Sequence, residues 1–128
     1  MKRIYVAEDQ PAQAELMETI LSSQRKYSLN FFNNGLELYR RVQQEPPDML
    51  ILDIMMPMLS GLAIARLLKF HDDFSKIPVL IVSSITDPDI QARALRAGAD
   101  AFLPKPFEVA TLVENVNRLL GEVQPPTR

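Results

Sequence analysis

The chain has 128 residues, of which 47% are hydrophobic, and this length and composition suit one globular domain with a single core. A formal net charge of -2 provides no basic field to hold the phosphates of nucleic acid, so we expect no direct DNA binding by this chain. Cysteine is absent, which excludes disulfides and thiolate metal sites. The apolar segment after Arg3 is too short for a signal peptide or a membrane span, and we therefore expect a cytoplasmic protein without membrane contact.

Short apolar runs alternate with segments of helical period along the first half of the chain. Residues 4–7 form a β-branched and aromatic run that predicts a strand, and Pro11 then begins a helix. A second strand is predicted at 29–32, and the helix after it ends before Pro46. Residues 49–53 have apolar side chains on both faces, as a central parallel strand requires.

The same alternation continues through a third helix and a fourth strand. Gly61 ends a loop and begins a helix whose inner face is predicted to carry Ile64, Leu67 and Leu68. The run 79–83 then predicts a strand.

The last two helices begin and end on recognisable signals. Asp87 is predicted to be the N-cap of the fourth helix, with Pro88 as its first residue. A strand at 101–103 precedes a strongly amphipathic fifth helix that we expect to end at Gly121. The apolar face of this fifth helix is predicted to contain Val109, Leu112, Val116, Leu119 and Leu120.

Five strands alternating with five helices predict an α/β fold, a doubly wound five-stranded parallel sheet in a three-layer sandwich. We expect residues 1–121 to form this domain and 122–128 to be a C-terminal tail or a truncated linker. In such sheets, ligands bind beyond the carboxyl ends of the strands. Polar residues at or just after strand ends are therefore predicted to surround one pocket. They are Asp9, Asp53, Ser83 and Lys105.

The carboxylate of Asp53 ends a buried strand, and desolvation there costs several kcal/mol unless positive charge compensates. Two sources of positive charge are available. One is a divalent metal shared with Glu8 and Asp9, for which Mg²⁺ is suited because it prefers oxygen ligands, with a backbone carbonyl near Met55 as a further ligand. The other is the ammonium of Lys105.

An aspartate beside Mg²⁺ is also a candidate nucleophile toward phosphorus, since aspartyl phosphate is an established covalent form of the carboxylate. Charge on a phosphoryl group transferred to Asp53 would be met by the metal on one side and by Lys105 on another. Ser83 would donate its hydroxyl to a phosphoryl oxygen.

These motifs together resemble the receiver domain of bacterial two-component response regulators, in the CheY-like superfamily. The resemblance runs from about Lys2 to Leu120 and implies the flavodoxin-like strand order 2-1-3-4-5. It depends on five positions taken together, because each alone is weak. The motifs are Glu8-Asp9, Asp53-Ile54-Met55-Met56-Pro57 leading to Gly61, Ser83, and Lys105-Pro106-Phe107.

The resemblance implies a role for each site residue. Asp53 would accept a phosphoryl group from a phosphohistidine of a sensor kinase or phosphotransfer protein. Asp9 would bind Mg²⁺ or Mn²⁺ directly, and Glu8 would do so directly or through a water. Ser83 would move toward the phosphoryl oxygen, and Lys105 would pair with it.

The resemblance also implies a switch and its partners. Phe102 matches the family's switch aromatic, which turns inward as Ser83 moves and alters the surface of helix four, strand five and helix five. The Lys105-Pro106 bond would be cis. Expected partners are a cognate histidine kinase or phosphotransfer protein and a downstream partner or effector domain, with a phosphorylation-dependent dimer as a further candidate. Such a chain would catalyse only its own phosphorylation and dephosphorylation.

Other interpretations of the same residues remain open. The chain is alternatively an unphosphorylated receiver-like interaction module with an idle pocket. Glu8-Asp9 would otherwise only begin a turn, Lys105 would be an exposed loop cation, and Phe102 would be plain core. Met55 lies where the family tunes water access to the phosphoryl group, so its apolar side chain predicts slow hydrolysis.

Overall fold

In a computed structural model of the chain, which describes residues 1–121, five parallel strands alternate with five helices. Each strand is followed by a helix, so every connection between neighbouring strands is a crossover that passes over one face of the sheet. In chain order the elements are β1 (Lys2–Ala7), α1 (Pro11–Ser22), β2 (Tyr27–Phe32), α2 (Gly35–Gln44), β3 (Met49–Asp53), α3 (Gly61–Lys69), β4 (Val79–Ser83), α4 (Ile90–Ala97), β5 (Ala101–Pro104) and α5 (Val109–Leu119).

The strand order is β2-β1-β3-β4-β5, which confirms the predicted flavodoxin-like sheet. The order reverses between β1 and β3, where a doubly wound sheet opens a crevice at its carboxyl edge. The register brings Ala7 opposite Leu52 and Ser83 opposite Pro104. The residues that follow these strands therefore leave the sheet side by side.

A layer of buried side chains lies on each face of the sheet, between the strands and the helices that cover them. On one face, α2, α3 and α4 pack through Leu38, Ile64 and Ala94 against β-strand residues such as Leu50 and Ile81. The other face is covered by α1 and α5. Its buried residues include Met17, Ile20, Ile51, Leu112 and Val116. All five residues of β3 are buried, as predicted for a central strand.

Several element boundaries differ from the sequence-based prediction. Strands β1 and β2 begin earlier than expected, at Lys2 and Tyr27, and β5 extends to Pro104. Backbone pairing with a neighbouring strand extends these edges beyond their apolar runs, as in the pairing of Lys2 with Tyr27. Helix α5 ends at Leu119 instead of Gly121. The predicted tail, 122–128, lies outside the described residues, so the division at residue 121 stays a prediction.

The predicted start of α4 is wrong by two residues. Asp87 forms a turn instead of an N-cap, because its carboxylate accepts the N–H of Asp89 at 2.9 Å and its carbonyl accepts the N–H of Ile90 at 3.0 Å. Asp89 is the N-cap residue, and Pro88 precedes the helix.

Two residues assigned to inner helix faces lie at the surface. Leu67 of α3 is 44% exposed and Val109 of α5 is 56% exposed, although their neighbours Leu68 and Leu112 are buried. Leu67 lies outside the face formed by the buried residues of α3, and Val109 is the first residue of α5. None of the helices described between residues 1 and 121 has the length and apolar content needed to cross a lipid bilayer.

Candidate functional site

The carboxyl ends of the central strands bring the predicted acidic residues together. Glu8 and Asp9 follow β1, and Asp53 ends the neighbouring strand β3. One carboxylate oxygen from each of the three lies within 4.8 Å of the others. Three carboxylates this close repel one another when ionised, so the cluster requires positive charge.

The ammonium of Lys105 supplies part of that charge. Its Nζ donates to Glu8 Oε1 at 2.6 Å and to Asp53 Oδ2 at 2.9 Å. The three side chains are almost inaccessible, with exposed fractions of 10% for Lys105, 0% for Glu8 and 11% for Asp53. These ion pairs are thus only weakly screened by solvent, in contrast to a pair on the open surface. The peptide bond from Lys105 to Pro106 is cis, as the family resemblance implies.

Burial and charge shift two pKa values in this cluster. Burial raises the pKa of the Glu8 carboxyl, and the hydrogen bond from Lys105 only partly opposes this. For Lys105, burial acts to lower the pKa, but the hydrogen bonds and negative charges of Glu8 and Asp53 outweigh it and raise the pKa above the ordinary lysine value. Lys105 is therefore protonated throughout the physiological range.

Close backbone contacts fix the loop that carries Asp53. Gly61 lies so near β3 that a Cβ atom there would be 2.3 Å from the carbonyl oxygen of Asp53. At the other side, the N–H of Gly35 donates to the carbonyl of Pro57 at 3.1 Å, and a Cβ on Gly35 would be 1.9 Å from the carbonyl oxygen of Leu59. The start of α2 and the start of α3 thus hold the loop between them, which explains why both positions are glycine.

A backbone donor also orients the Asp53 carboxylate. The N–H of Met55 donates to Asp53 Oδ1 at 3.1 Å, while Oδ2 faces Lys105. Met55 itself lines the cleft with its side chain 65% exposed, and the part predicted for its carbonyl as a metal ligand stays a prediction.

Ser83 lies at the end of β4 and is only 1% exposed. Its hydroxyl accepts the N–H of Ile85 at 3.0 Å, and its carbonyl accepts the N–H of Lys105 at 2.8 Å. Phe102, opposite Ile81 in the sheet, is half-buried and packs against the core beneath α2, α3 and α4. The predicted switch residues therefore lie on adjacent strands, β4 and β5.

A cleft of about 450 Å³ opens above Asp53. The sequence-based prediction assigned no site role to several residues that line this cleft, such as Gln13 and Leu16 of α1. Gln10 and Gln13 are three residues apart, and this helical spacing would have placed them on one face beside Asp9. The cleft is lined by Asp9, Gln10, Gln13, Leu16, Asp53, Met55, Ser84, Lys105, Pro106 and Phe107.

The donor set fits a hard divalent cation. The three clustered side chains offer only oxygen, the ligand that Mg²⁺ and Mn²⁺ favour. Asp9 is exposed at the cleft, whereas Glu8 and Asp53 lie beneath it, so an ion can enter from solvent and meet buried carboxylates.

Known proteins share this fold and sequence pattern. A family model described as the response regulator receiver domain matches residues 4–117. Response regulator MprA of Mycobacterium leprae is 35% identical over 123 residues, which cover 96% of this chain and 53% of the relative. The chain thus spans about half the length of that curated relative.

Solved structures of receiver domains have the same fold as this chain. The signal receiver domain of a signal transduction histidine kinase from Syntrophus aciditrophicus has a TM-score of 0.88 at 35% identity, covering 99% of this chain and 96% of its own. The receiver domain of sensor histidine kinase PA1611 from Pseudomonas aeruginosa has a TM-score of 0.85 at 23% identity, covering 94% and 98%, and holds a magnesium ion in its active-site cleft. At that lower identity the likeness concerns the fold alone. The family model and the relatives above 30% identity together place this chain in the response regulator receiver domain family.

Proposed function

We propose that this chain is a phospho-accepting signalling switch in which Asp53 takes a phosphoryl group from a phosphohistidine of a sensor kinase or phosphotransfer protein. The observation that carries the proposal is the Lys105 ammonium, held between Glu8 and Asp53 at the carboxyl edge of the sheet. A pocket without a use for this charge would have no reason to bury Glu8 and Asp53 around one cation.

The chain's residues can promote the transfer step. An Asp53 oxygen forms the bond to phosphorus as the phosphorus–nitrogen bond of the donor breaks, and the electron pair of that bond stays on the departing imidazole, which takes a proton from solvent. Lys105 is protonated and lies 2.9 Å from Asp53 Oδ2, so its charge faces the oxygens of the arriving group. The Met55 N–H holds Asp53 Oδ1 in place.

Glu8, Asp9 and Asp53 would hold Mg²⁺ or Mn²⁺, with the Met55 carbonyl as a further ligand. When bound, the ion would neutralise negative charge on the carboxylates and on the transferred phosphoryl group. Asp9 is the exposed acid of the set and would meet the ion first.

Phosphorylation would then alter the surface formed by α4, β5 and α5. The Ser83 hydroxyl accepts the Ile85 N–H in this structure, and turning toward a phosphoryl oxygen would break that bond and move the β4–α4 loop. Phe102, half-buried on the adjacent strand, would turn inward into the space released. A bias of a few kcal/mol suffices for such a switch.

The partners follow from this role: a histidine kinase or phosphotransfer protein upstream, and a downstream partner or effector domain, with a phosphorylation-dependent dimer as one form of output. We place the protein in the cytoplasm, where such kinases present their phosphohistidine. It would catalyse only its own phosphorylation and dephosphorylation.

Intact-mass measurement after incubation with Mg²⁺ and acetyl phosphate tests the proposal. We expect one added phosphoryl mass on the wild-type chain, none on Asp53→Ala, and none on the wild type when EDTA removes the metal. If the wild type gains no phosphoryl mass at any donor concentration, the chain is an unphosphorylated interaction module instead.

A further inference from the structure

Two adjacent serines end β4, and the structure gives them different surroundings. Ser83 is 1% exposed, and its hydroxyl is engaged with the N–H of Ile85. Ser84 is exposed and lines the cleft together with Asp53 and Lys105. Ser84 is the hydroxyl-bearing residue among those lining this cleft, so its hydroxyl is the one that a molecule entering from solvent meets.

The phosphoryl end and the leaving end of a bound phosphodonor would lie at different depths in this cleft. Phosphoryl transfer proceeds with the attacking and leaving atoms roughly in line, on opposite sides of phosphorus. Asp53 lies at the cleft floor and is 9% exposed, so the leaving atom must point away from it, toward the mouth. Ser84 is exposed and lines the same cleft, so it is accessible from the side toward which the leaving atom points.

We propose that Ser84 is a donor-contacting residue whose hydroxyl hydrogen-bonds the leaving atom of the phosphodonor; this deepens the proposed function and rests on it. With acetyl phosphate, an Asp53 oxygen bonds to phosphorus, the phosphorus–oxygen bond to the acetyl group breaks, and the electron pair leaves on acetate. The Ser84 hydroxyl donates to that oxygen as its negative charge develops. Ser83 stays assigned to the phosphoryl group itself.

Comparing uptake with hydrolysis isolates this role. In hydrolysis an attacking water takes the in-line position of the leaving atom, but it develops no negative charge that a hydroxyl donor could stabilise, so the Ser84 hydroxyl should assist uptake and not hydrolysis. We expect Ser84→Ala to slow phosphoryl uptake from acetyl phosphate by about three- to tenfold, the worth of one neutral hydrogen bond. The half-life of the phosphorylated protein after donor removal should stay within about twofold of wild type.

Two further variants serve as controls in the same intact-mass time courses with Mg²⁺. Ser84→Thr keeps a hydroxyl and should retain most of the uptake rate. Thr86→Ala removes an exposed hydroxyl two residues farther along, outside the cleft lining, and should behave as wild type.

Three outcomes would overturn the assignment: uptake by Ser84→Ala at or above the wild-type rate, equal slowing of uptake and hydrolysis, or failure of Ser84→Thr to restore the rate. Loss of uptake by the wild type would instead remove the proposed function, and this inference with it.

Discussion

At the scale of single residues, the site holds more negative charge than its one lysine can neutralise. Glu8 is 2% exposed, yet its neighbours within the cluster include two more carboxylates and only one ammonium, that of Lys105. Negative charge therefore remains in excess when all these groups are ionised. In the proposed function, a metal ion would thus compete with Lys105 for the same oxygens, and both would bind the phosphoryl group.

Removing the lysine charge should strengthen metal binding. In Lys105→Ala, Glu8 and Asp53 lose the ammonium at 2.6 and 2.9 Å, so we expect Mg²⁺ to bind about tenfold more tightly, or roughly 1.4 kcal/mol. Isothermal titration calorimetry measures this directly. It is best done near pH 8, because burial raises the pKa of Glu8 and the loss of Lys105 would raise it further.

Lys76→Ala removes an exposed lysine and should leave the affinity for Mg²⁺ unchanged. Unchanged or weaker binding in Lys105→Ala would show that the ammonium does not compete with the ion.

The methionine beside the acceptor predicts a long-lived phosphorylated state. Met55 lines the cleft and presents an apolar side chain where an amide would hold water near the phosphoryl group. We expect Met55→Asn to shorten the phosphorylated half-life several-fold, measured as loss of phosphoryl mass after donor removal.

Met58→Asn is the matched control, because Met58 belongs to the same loop, is 73% exposed and does not line the cleft. Equal half-lives for Met55→Asn and wild type would exclude water access at this position as the limiting factor.

At the scale of elements, two helices are capped on the side of the site. The Asn34 side chain accepts the N–H of Glu37 at 2.9 Å at the start of α2, and the Ser60 hydroxyl accepts the N–H of Ala63 at 3.2 Å at the start of α3. These caps fix the helix starts that hold the Asp53 loop. The N-cap residue of α4, Asp89, makes no side-chain cap bond.

Loss of either cap should destabilise the fold measurably. We expect Asn34→Ala and Ser60→Ala each to lower the free energy of unfolding by about 1 kcal/mol, since each leaves a helix N–H without its acceptor. Asp89→Ala should change it by only a few tenths of a kcal/mol, because no cap bond is lost. Urea unfolding at fixed salt tests the comparison, and a cost for Asp89→Ala equal to the other two would refute it.

The sequence predicted the presence of strands and helices better than it predicted their first and last residues. Runs such as Met49–Asp53 and Val79–Ser83 were placed correctly because burial on both faces leaves a continuous apolar signal. The start of α4 was wrong because Asp87 satisfies local backbone donors equally well in a turn or as a cap. Leu67 was assigned to the core from period alone, and period does not say how wide the covered stripe is.

The site was predictable for a similar reason. Strand ends in a parallel sheet meet at one edge, so the gathering of Asp9, Asp53 and Lys105 followed from the fold. The engagement of the Ser83 hydroxyl and the position of Ser84 did not, because they depend on the path of one loop after β4.

At the scale of the whole molecule, the sheet divides the buried side chains into two layers. Ile64 of α3 is buried on one face, and Ile20 of α1 is buried on the other. With the five strands between them, these residues have no shared packing neighbours, so each layer should respond to change by itself.

We expect Ile64→Val and Ile20→Val each to cost about 0.5 to 1.5 kcal/mol of unfolding free energy. The double variant should cost the sum within about 0.5 kcal/mol, because the sites do not touch. Chemical denaturation of the wild type, the two single variants and the double variant tests this. A coupling energy above about 1 kcal/mol would mean that the sheet transmits strain between its faces.

The salt bridge between Lys105 and Glu8 joins residues 97 positions apart, and this spacing orders events on the ribosome. At roughly 5 to 20 residues per second, translation leaves an interval of about 5 to 20 s between the acid and its cation. During that interval the nascent polypeptide carries the acids of the pocket without the ammonium that pairs with two of them. We therefore expect a chain released before Lys105 to be unable to form a pocket that accepts a phosphoryl group. Incomplete translation products should then not take part in signalling.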